Sequence, residues 1–287
     1  MNQLNLFIEL TRIKPIGFML LFWPCIWGLT LVYDFNSSLN NYFFFGSLFL
    51  AGSILMRSAG CIVNDIVDKN FDKRVERTKN RPIASGKVSV KLALIYSIVL
   101  CGLAFLVLIN FNKFTIYMAL LSMPLAFTYP LMKRITYWPQ LFLGITFNYG
   151  LILAWISISN EVSLVALVFY FGAIFWTLGY DTIYGFQDIK DDEIIGVKST
   201  SIKFKNDPKK FLLFCYLVFF VSLITIGINM NFKLFYFIFL ILPTTQLFIF
   251  QIKKLNISNT SDCLTKFKSN NLLGLIVLIN IFVGKLI

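Results

Sequence analysis

The stretch NDIVDKNFDKRVERTKNRP, residues 64–82, sets carboxylates at Asp65, Asp68 and Asp72 and follows them with a dense run of lysine and arginine. Asn64, Asp68 and Asp72 stand at i, i+4 and i+8, so on a helix they share one face. Asp65 sits one position off, seven residues before Asp72. A second stretch, YDTIYGFQD at 180–188, spaces Asp181, Tyr184 and Asp188 in the same manner, with Asp192 extending the stripe and Asp191 falling off it. Like charges at i, i+4 weaken a helix, and acids beside a membrane are costly. A bound cation offsets both effects. Mg2+ suits the position, because it takes one or two carboxylates and leaves sites for water and phosphate oxygens. Two such stripes facing each other could hold two ions about a diphosphate and neutralise it as a leaving group.

Basic residues surround the acids. Arg57 lies seven residues before Asn64, on the same helix face, inside an apolar run, where an arginine is a functional candidate by default. Arg77 and Arg81 follow the first motif, and Lys133 and Arg134 close a later apolar run. Arginine grips phosphate or carboxylate through two parallel hydrogen bonds. A site with both signs of charge points to a metal-bound polyanion rather than to a cation alone. Solvated loop charges, a snorkelling Arg57 and interface-belt roles for Tyr129 and Tyr149 are the competing structural readings.

The elements that position these residues must be membrane helices. The chain has 287 residues, 57% of them hydrophobic and 14% charged, with a mean hydropathy of +0.75. Nine apolar runs are long enough to cross a bilayer: 16–33, 42–63, 91–109, 114–131, 140–158, 163–181, 211–229, 233–250 and 270–287. Continuous apolar runs without period-2 alternation exclude a β-barrel. The expected fold is all-α and polytopic, with nine transmembrane helices forming one unit over 1–287. Asp65 falls over Asp181, Asp68 over Tyr184 and Asp72 over Asp188 at a constant offset of 116. The two copies lie four helices apart, so the pattern predicts two parallel four-helix pseudo-repeats with the ninth helix appended.

The net charge of +12 would suggest nucleic acid, but its distribution excludes that reading. With the N-terminus inside, the inside segments hold Arg12, Lys14, eight basic residues in 64–91, Lys133, Arg134, six in 182–210 and four in 251–269. Only Lys113, Lys233 and Lys285 fall on the other side. This is the positive-inside pattern of a membrane protein in contact with lipid. The first apolar run lacks a small-residue cleavage site and reads as a retained helix. The absence of histidine excludes imidazole bases and His metal ligands. Five cysteines without a CxxC pair exclude a zinc or disulfide framework.

Four blocks then carry a resemblance: RIKPIGFMLLFWPCIWGL (12–29), MRSAGCIVNDIVDKNFDKRVERTKNRPIASG (56–86), FTYPLMKRITYWPQ (127–140) and GYDTIYGFQDIKDDEIIGVKST (179–200). In this order they resemble the UbiA membrane prenyltransferases, and the first block is similar to the hydroxybenzoate branch. The resemblance implies helices around a central cavity open sideways to lipid. It maps metal binding onto Asn64, Asp68, Asp72, Asp181 and Asp188, with Asp65 and Asp192 nearby. It maps diphosphate and acceptor contacts onto Arg57, Arg77, Tyr129, Lys133 and Tyr184, with Arg81 beside them; Tyr149 is a further candidate contact. The implied substrates are polyprenyl diphosphate and 4-hydroxybenzoate, with no obligatory protein partner. Arg57 would orient the acceptor carboxylate, and Asp181 with Tyr184 would polarise the phenol or take the ring proton. One departure is Gly185, where the family pattern has alanine. A place in the cell inner membrane, with the site on its cytoplasmic side, is the accompanying expectation.

Other acceptors, naphthoate or haem among them, use the same metal chemistry. A cation-coupled transporter fits less well, because its acids would lie near the midplane of inverted repeats. A CDP-alcohol phosphotransferase is excluded by Lys69, which stands where its motif needs a glycine.

Overall fold

The computed structural model describes residues 3–13 and 17–286. Lys14, Pro15 and Ile16, which belong to the first block and begin the first expected span, lie outside the described residues. The described residues form helices and connecting turns, with no strand. In chain order these are α1 (Gln3–Thr11), α2 (Met19–Val32), α3 (Leu39–Asp72), α4 (Val90–Leu108), α5 (Lys113–Thr128), a 3-10 turn (Tyr129–Leu131), α6 (Met132–Ile135), α7 (Pro139–Ser159) and α8 (Leu164–Gly185). The short α9 (Ile189–Ile195) and α10 (Thr200–Lys203) follow. Next come α11 (Pro208–Asn229), α12 (Leu234–Phe239), α13 (Ile241–Thr244), a π-helix (Thr245–Lys253), α14 (Thr260–Lys268) and α15 (Asn270–Leu286).

Local chemistry marks the ends. Ser89, Asn112 and Ser163 each cap a helix by accepting a backbone N–H of the first turn. Pro139 and Pro208 open α7 and α11, where a missing N–H costs nothing. Asn160 and Gly196 adopt positive φ to end α7 and α9.

Eight helical stretches are long and apolar enough to span a bilayer. The first expected span, 16–33, is represented by α2, whose 14 residues rise only about 21 Å against a hydrocarbon core of about 30 Å. The count of nine spans is therefore not reproduced among the described residues. A second difference concerns α3. Its apolar run was expected to end at residue 63, but the helix continues to Asp72 over 34 residues. At roughly 1.5 Å per residue it is about 51 Å long, so its last turns carry Asp65, Asp68 and Asp72 beyond the apolar part. No proline or glycine interrupts it between Gly60 and Asp72.

The second acid stripe behaves otherwise. It was expected on one continuous helix face, but α8 stops at Gly185 and Asp188 occupies the junction ahead of α9. Asp181 and Tyr184 thus share α8, while Asp188 and Asp192 are delivered by the junction and the next helix.

The core follows from packing between apolar faces. α2 packs along α7, α7 along α8, α8 along α11, and α15 closes against α2. Trp27 and Trp176 sit at its centre with ring centroids 5.0 Å apart, flanked by Phe169 and Phe219. Both of these central indole N–H groups are satisfied: Trp27 donates to the Gly274 carbonyl at 2.9 Å and Trp176 to Asn270 Oδ1 at 2.8 Å. α3 pairs with α4 on the other side, and α5 leans on α7. The acid-bearing ends of α3 and α8 thereby arrive at the same end of the bundle.

The α2–α7 contact is close because Gly28 has no side chain; a Cβ there would lie 2.5 Å from the Leu151 carbonyl oxygen. Gly28→Ala should force the two helices apart and lower the melting temperature in detergent by several degrees. Gly102→Ala, on an exposed face where a Cβ meets nothing, should leave it unchanged or higher. Equal melting of the two variants would contradict this packing.

Candidate functional site

A polar cavity of about 550 Å³ lies where α3 and α8 end, and its lining includes Asn64, Asp68, Asp72, Asp181, Asp188 and Asp192. Both acid motifs, 116 residues apart in sequence, therefore face one space. Arg57, Arg77, Arg81, Tyr129, Lys133 and Tyr184 line the same cavity. Two candidates lie elsewhere. Asp65 is not among the lining residues, and Tyr149 lines a second, apolar chamber of about 340 Å³. The chamber and the cavity share Arg57, Tyr129 and Phe147, so they adjoin one another there.

Most of the acids are matched by cations from other elements. Asp65 is 2% exposed and is held by Arg12, at the end of α1, and by Arg81 at 3.3 Å. Arg81 also binds both oxygens of Asp72, at 3.1 and 2.9 Å. Lys133 lies 2.5 Å from Asp68 Oδ2. Arg77 donates to Asp188 through Nε at 2.7 Å and to the Tyr184 hydroxyl at 2.9 Å. Buried carboxylates need such partners, because an uncompensated charge in a low-dielectric interior is strongly unfavourable.

Backbone ties hold the loops that supply these cations. The Glu76 N–H donates to Asp191 at 3.1 Å, joining the first loop to the second. The Lys198 N–H donates to the Lys133 carbonyl at 2.8 Å. Arg134 donates to the Val67 carbonyl at 2.7 Å and stacks over Phe71, so α6 is fastened to α3.

Of the candidate metal-binding side chains on the wall, three remain without a side-chain hydrogen bond or ion pair among the described residues: Asn64, Asp181 and Asp192. Asp68 Oδ1 is buried without a hydrogen bond, with Arg134 4.0 Å away. Burial, then the neighbouring Asp188, push Asp192 up to about 7, against the pull of Lys133 and Arg77. No three carboxylates converge on one point among the described residues; the acids approach the cavity from two sides. The donor set is entirely oxygen, and an orphaned buried carboxylate oxygen is a group that a hard divalent cation would satisfy. The residues present fit such an ion.

Arg57 is held differently from the other cations. Its guanidinium lies over the Phe147 ring at 5.3 Å and donates to Cys61 Sγ at 2.9 Å. It makes no ion pair with a carboxylate among the described residues. It stands where polar cavity and apolar chamber meet.

Gly185 lines the cavity because Ser201 fills the space a side chain would take. A Cβ there would collide with the Ser201 hydroxyl, which donates to the Thr182 carbonyl at 2.8 Å. An alanine at 185 would therefore need the Ser201 side chain to shift. Arg12, Glu9, Phe147 and Lys198 also line the cavity and were not singled out from the sequence as site residues. Their signal there is no more than a charge outside the apolar runs or, for Phe147, one aromatic among many inside a span.

The family model of the UbiA prenyltransferase family matches residues 21–274. The mitochondrial 4-hydroxybenzoate polyprenyltransferase of Bos taurus is 42% identical over 99% of this chain and 76% of its own length. The human protein of that name is 41% identical over the same shares. A 4-hydroxybenzoate geranyltransferase 2 of Lithospermum erythrorhizon is 40% identical over 99% of this chain and 92% of its own. Among solved structures, the apo UbiA homologue from Aeropyrum pernix K1 superposes with a TM-score of 0.78 at 22% identity, over 94% of this chain and 98% of that one. The Archaeoglobus fulgidus homologue bound to DMAPP and Mg2+ gives 0.70 at 17% identity, over 97% and 98%. At these identities the structures establish the fold. The mitochondrial names of the relatives overturn the expectation of a cell inner membrane with a cytoplasmic-facing site. Orientation by charge count says which loops share a side, not which membrane holds the protein.

Asp65 serves two arginines at once, whereas Asp68 serves the cavity. Asp65→Asn should therefore lower the melting temperature in detergent by a few degrees, about 1–3 kcal/mol, and by more than Asp68→Asn does. The reverse order would contradict the division of roles.

Proposed function

The chain belongs to the UbiA prenyltransferase family, and on that premise we propose that it transfers a polyprenyl group from polyprenyl diphosphate to 4-hydroxybenzoate. The carbon ortho to the phenol hydroxyl is alkylated, giving 3-polyprenyl-4-hydroxybenzoate and diphosphate, a membrane step of ubiquinone biosynthesis. The observation that carries the reading is the agreement of two independent features. Relatives named for this reaction match the chain end to end, and a charged cavity adjoins an apolar chamber at Arg57. We read residues 1–287 as one functional unit.

Asn64, Asp68, Asp72, Asp181, Asp188 and Asp192 are the residues that would hold Mg2+ on the cavity wall. Bound there, the metal supplies Lewis-acid neutralisation of the departing diphosphate. Asp65 acts one step removed, keeping Arg12 and Arg81 in place.

Arg77, Arg81 and Lys133 present their cations to the same space and bind the phosphate oxygens. The apolar chamber receives the isoprenoid tail, with Tyr149 on its wall. Tyr129 and Phe147 stand at the junction, where the allylic carbon would emerge. Their rings exclude water from a developing allylic cation, which would otherwise be captured as an alcohol. Arg57 binds the acceptor carboxylate; its place over Phe147 holds the guanidinium where the cavity and the chamber meet. Asp181 makes no side-chain hydrogen bond or ion pair among the described residues, so its carboxylate can accept the phenol or ring proton as the new carbon–carbon bond forms. Tyr184 is tied to Arg77 and stacks on Phe267 at 4.5 Å, which fixes its hydroxyl beside that event.

Membranes carrying the protein should convert labelled 4-hydroxybenzoate and geranyl diphosphate to the prenylated acid with Mg2+, and EDTA should abolish the product. Asp68→Asn and Asp188→Asn should each lower kcat by on the order of a hundredfold or more; near-normal turnover in either would contradict the assignment. Arg57→Ala should raise the KM for 4-hydroxybenzoate about tenfold or more with little change in that for the diphosphate. An unchanged acceptor KM would remove Arg57 from its role.

A further inference from the structure

Glycine weakens a helix interior, so each one inside a span needs a reason. For Gly28, Gly144 and Gly274 the reason is close packing, since an added Cβ would strike a neighbouring helix. Gly52 and Gly60 on α3 have no such reason: a Cβ at either would meet nothing within 4 Å. Both line the apolar chamber. They stand with Met56 at intervals of four residues, on the face that continues to Asn64 in the polar cavity.

We propose that Gly52 and Gly60 determine donor chain length: they keep open the path of the isoprenoid tail along α3, with Gly60 beside the first isoprene unit and Gly52 beside the third. The proposal rests on the reading that the diphosphate occupies the polar cavity. Eight residues of helix separate the two glycines, about 12 Å along the axis. An isoprene unit adds four carbon–carbon bonds of about 1.5 Å, roughly 5 Å in extension. The interval therefore spans about two units. Beyond Gly52 the chamber ends in an aromatic wall, where Phe49 and Phe111 pack with centroids 4.8 Å apart and their rings tilted by 46°. That wall is fixed in place: Asn112, next to Phe111, donates to the Ile156 and Ser157 carbonyls at 2.9 and 3.1 Å. Ala104 and Ala119 supply small side chains at the flank from α4 and α5. These two helices do not pack closely along their length, so a tail longer than the chamber leaves between them towards lipid. Chain length is limited by what stands in the path, and at Gly52 nothing does.

The test uses the full-length protein in detergent with Mg2+ and two unreactive donors, geranyl thiodiphosphate and geranylgeranyl thiodiphosphate, with binding followed by tryptophan fluorescence. Transfer to 4-hydroxybenzoate is measured in parallel with the corresponding diphosphates. Wild type and Gly102→Leu, a substitution on an exposed face outside the chamber, should bind both lengths. Gly52→Leu and Gly52→Phe should bind the two-unit donor within about threefold of wild type and the four-unit donor at least tenfold more weakly, the scale set by lost burial of a whole isoprene unit. Gly60→Leu should weaken both. Gly52→Ala, the mildest change, should show the same length preference in smaller measure. Gly52 variants that lose both donors alike, or neither, overturn the proposal while transfer by the wild type leaves the proposed function standing. A wild type that binds neither donor overturns both.

Discussion

A carboxylate taken out of water must be met by a cation, and the architecture of the charged end of this bundle follows from that requirement. Asp65 and Asp68 are each 2% exposed. They are carried there by α3, which extends well beyond its apolar portion. The paired acids of the cavity region draw their cations from other segments: Arg12 from the turn after α1, Arg77 and Arg81 from the first loop, Lys133 from α6. The ion pairs thus fasten the connecting segments to α3, beside the apolar cluster that α1 and the first loop form with it, and the loops become the walls of a cavity. Because Arg81 is divided between Asp65 and Asp72, position and charge balance are set together.

The polar cavity alone would suit any metal-bound anion. The apolar chamber that joins it at Arg57, Tyr129 and Phe147 restricts the ligand to one with a charged head and a long apolar tail. Arg57 belongs to both spaces, and it is held by a ring and a thiol rather than by a carboxylate. A guanidinium held in that way retains its full capacity for a second anionic group, which is the property an acceptor carboxylate requires.

Much of this was legible in the sequence because it rests on local periodicity. The apolar runs reveal membrane helices, and the i, i+4, i+8 spacing of Asn64, Asp68 and Asp72 places them on one face. The 116-residue offset brings the second motif to the same end. What was not legible depends on contacts distant in sequence. Arg77 meets Asp188 across 111 positions and Arg12 meets Asp65 across 53, so neither pairing leaves a local trace. The division of Asp65 from the other acids follows from those pairings and not from spacing. The second stripe was read as one helix because its spacing is helical, yet α8 ends at Gly185, where Ser201 packs against the backbone.

The central claim is that two acid motifs on different helices form one metal–diphosphate site. It is tested most directly by the Mg2+-dependent binding of geranyl thiodiphosphate to the wild type, to Asp68→Asn, to Asp188→Asn and to the double variant. In a single site, each substitution should remove most of the Mg2+-dependent affinity, and the double variant should bind no more weakly than the weaker single one, because groups that act as a unit are not additive. Losses that add in the double variant, or Mg2+-dependent binding that survives in both singles, would show that the motifs act independently and would contradict the claim.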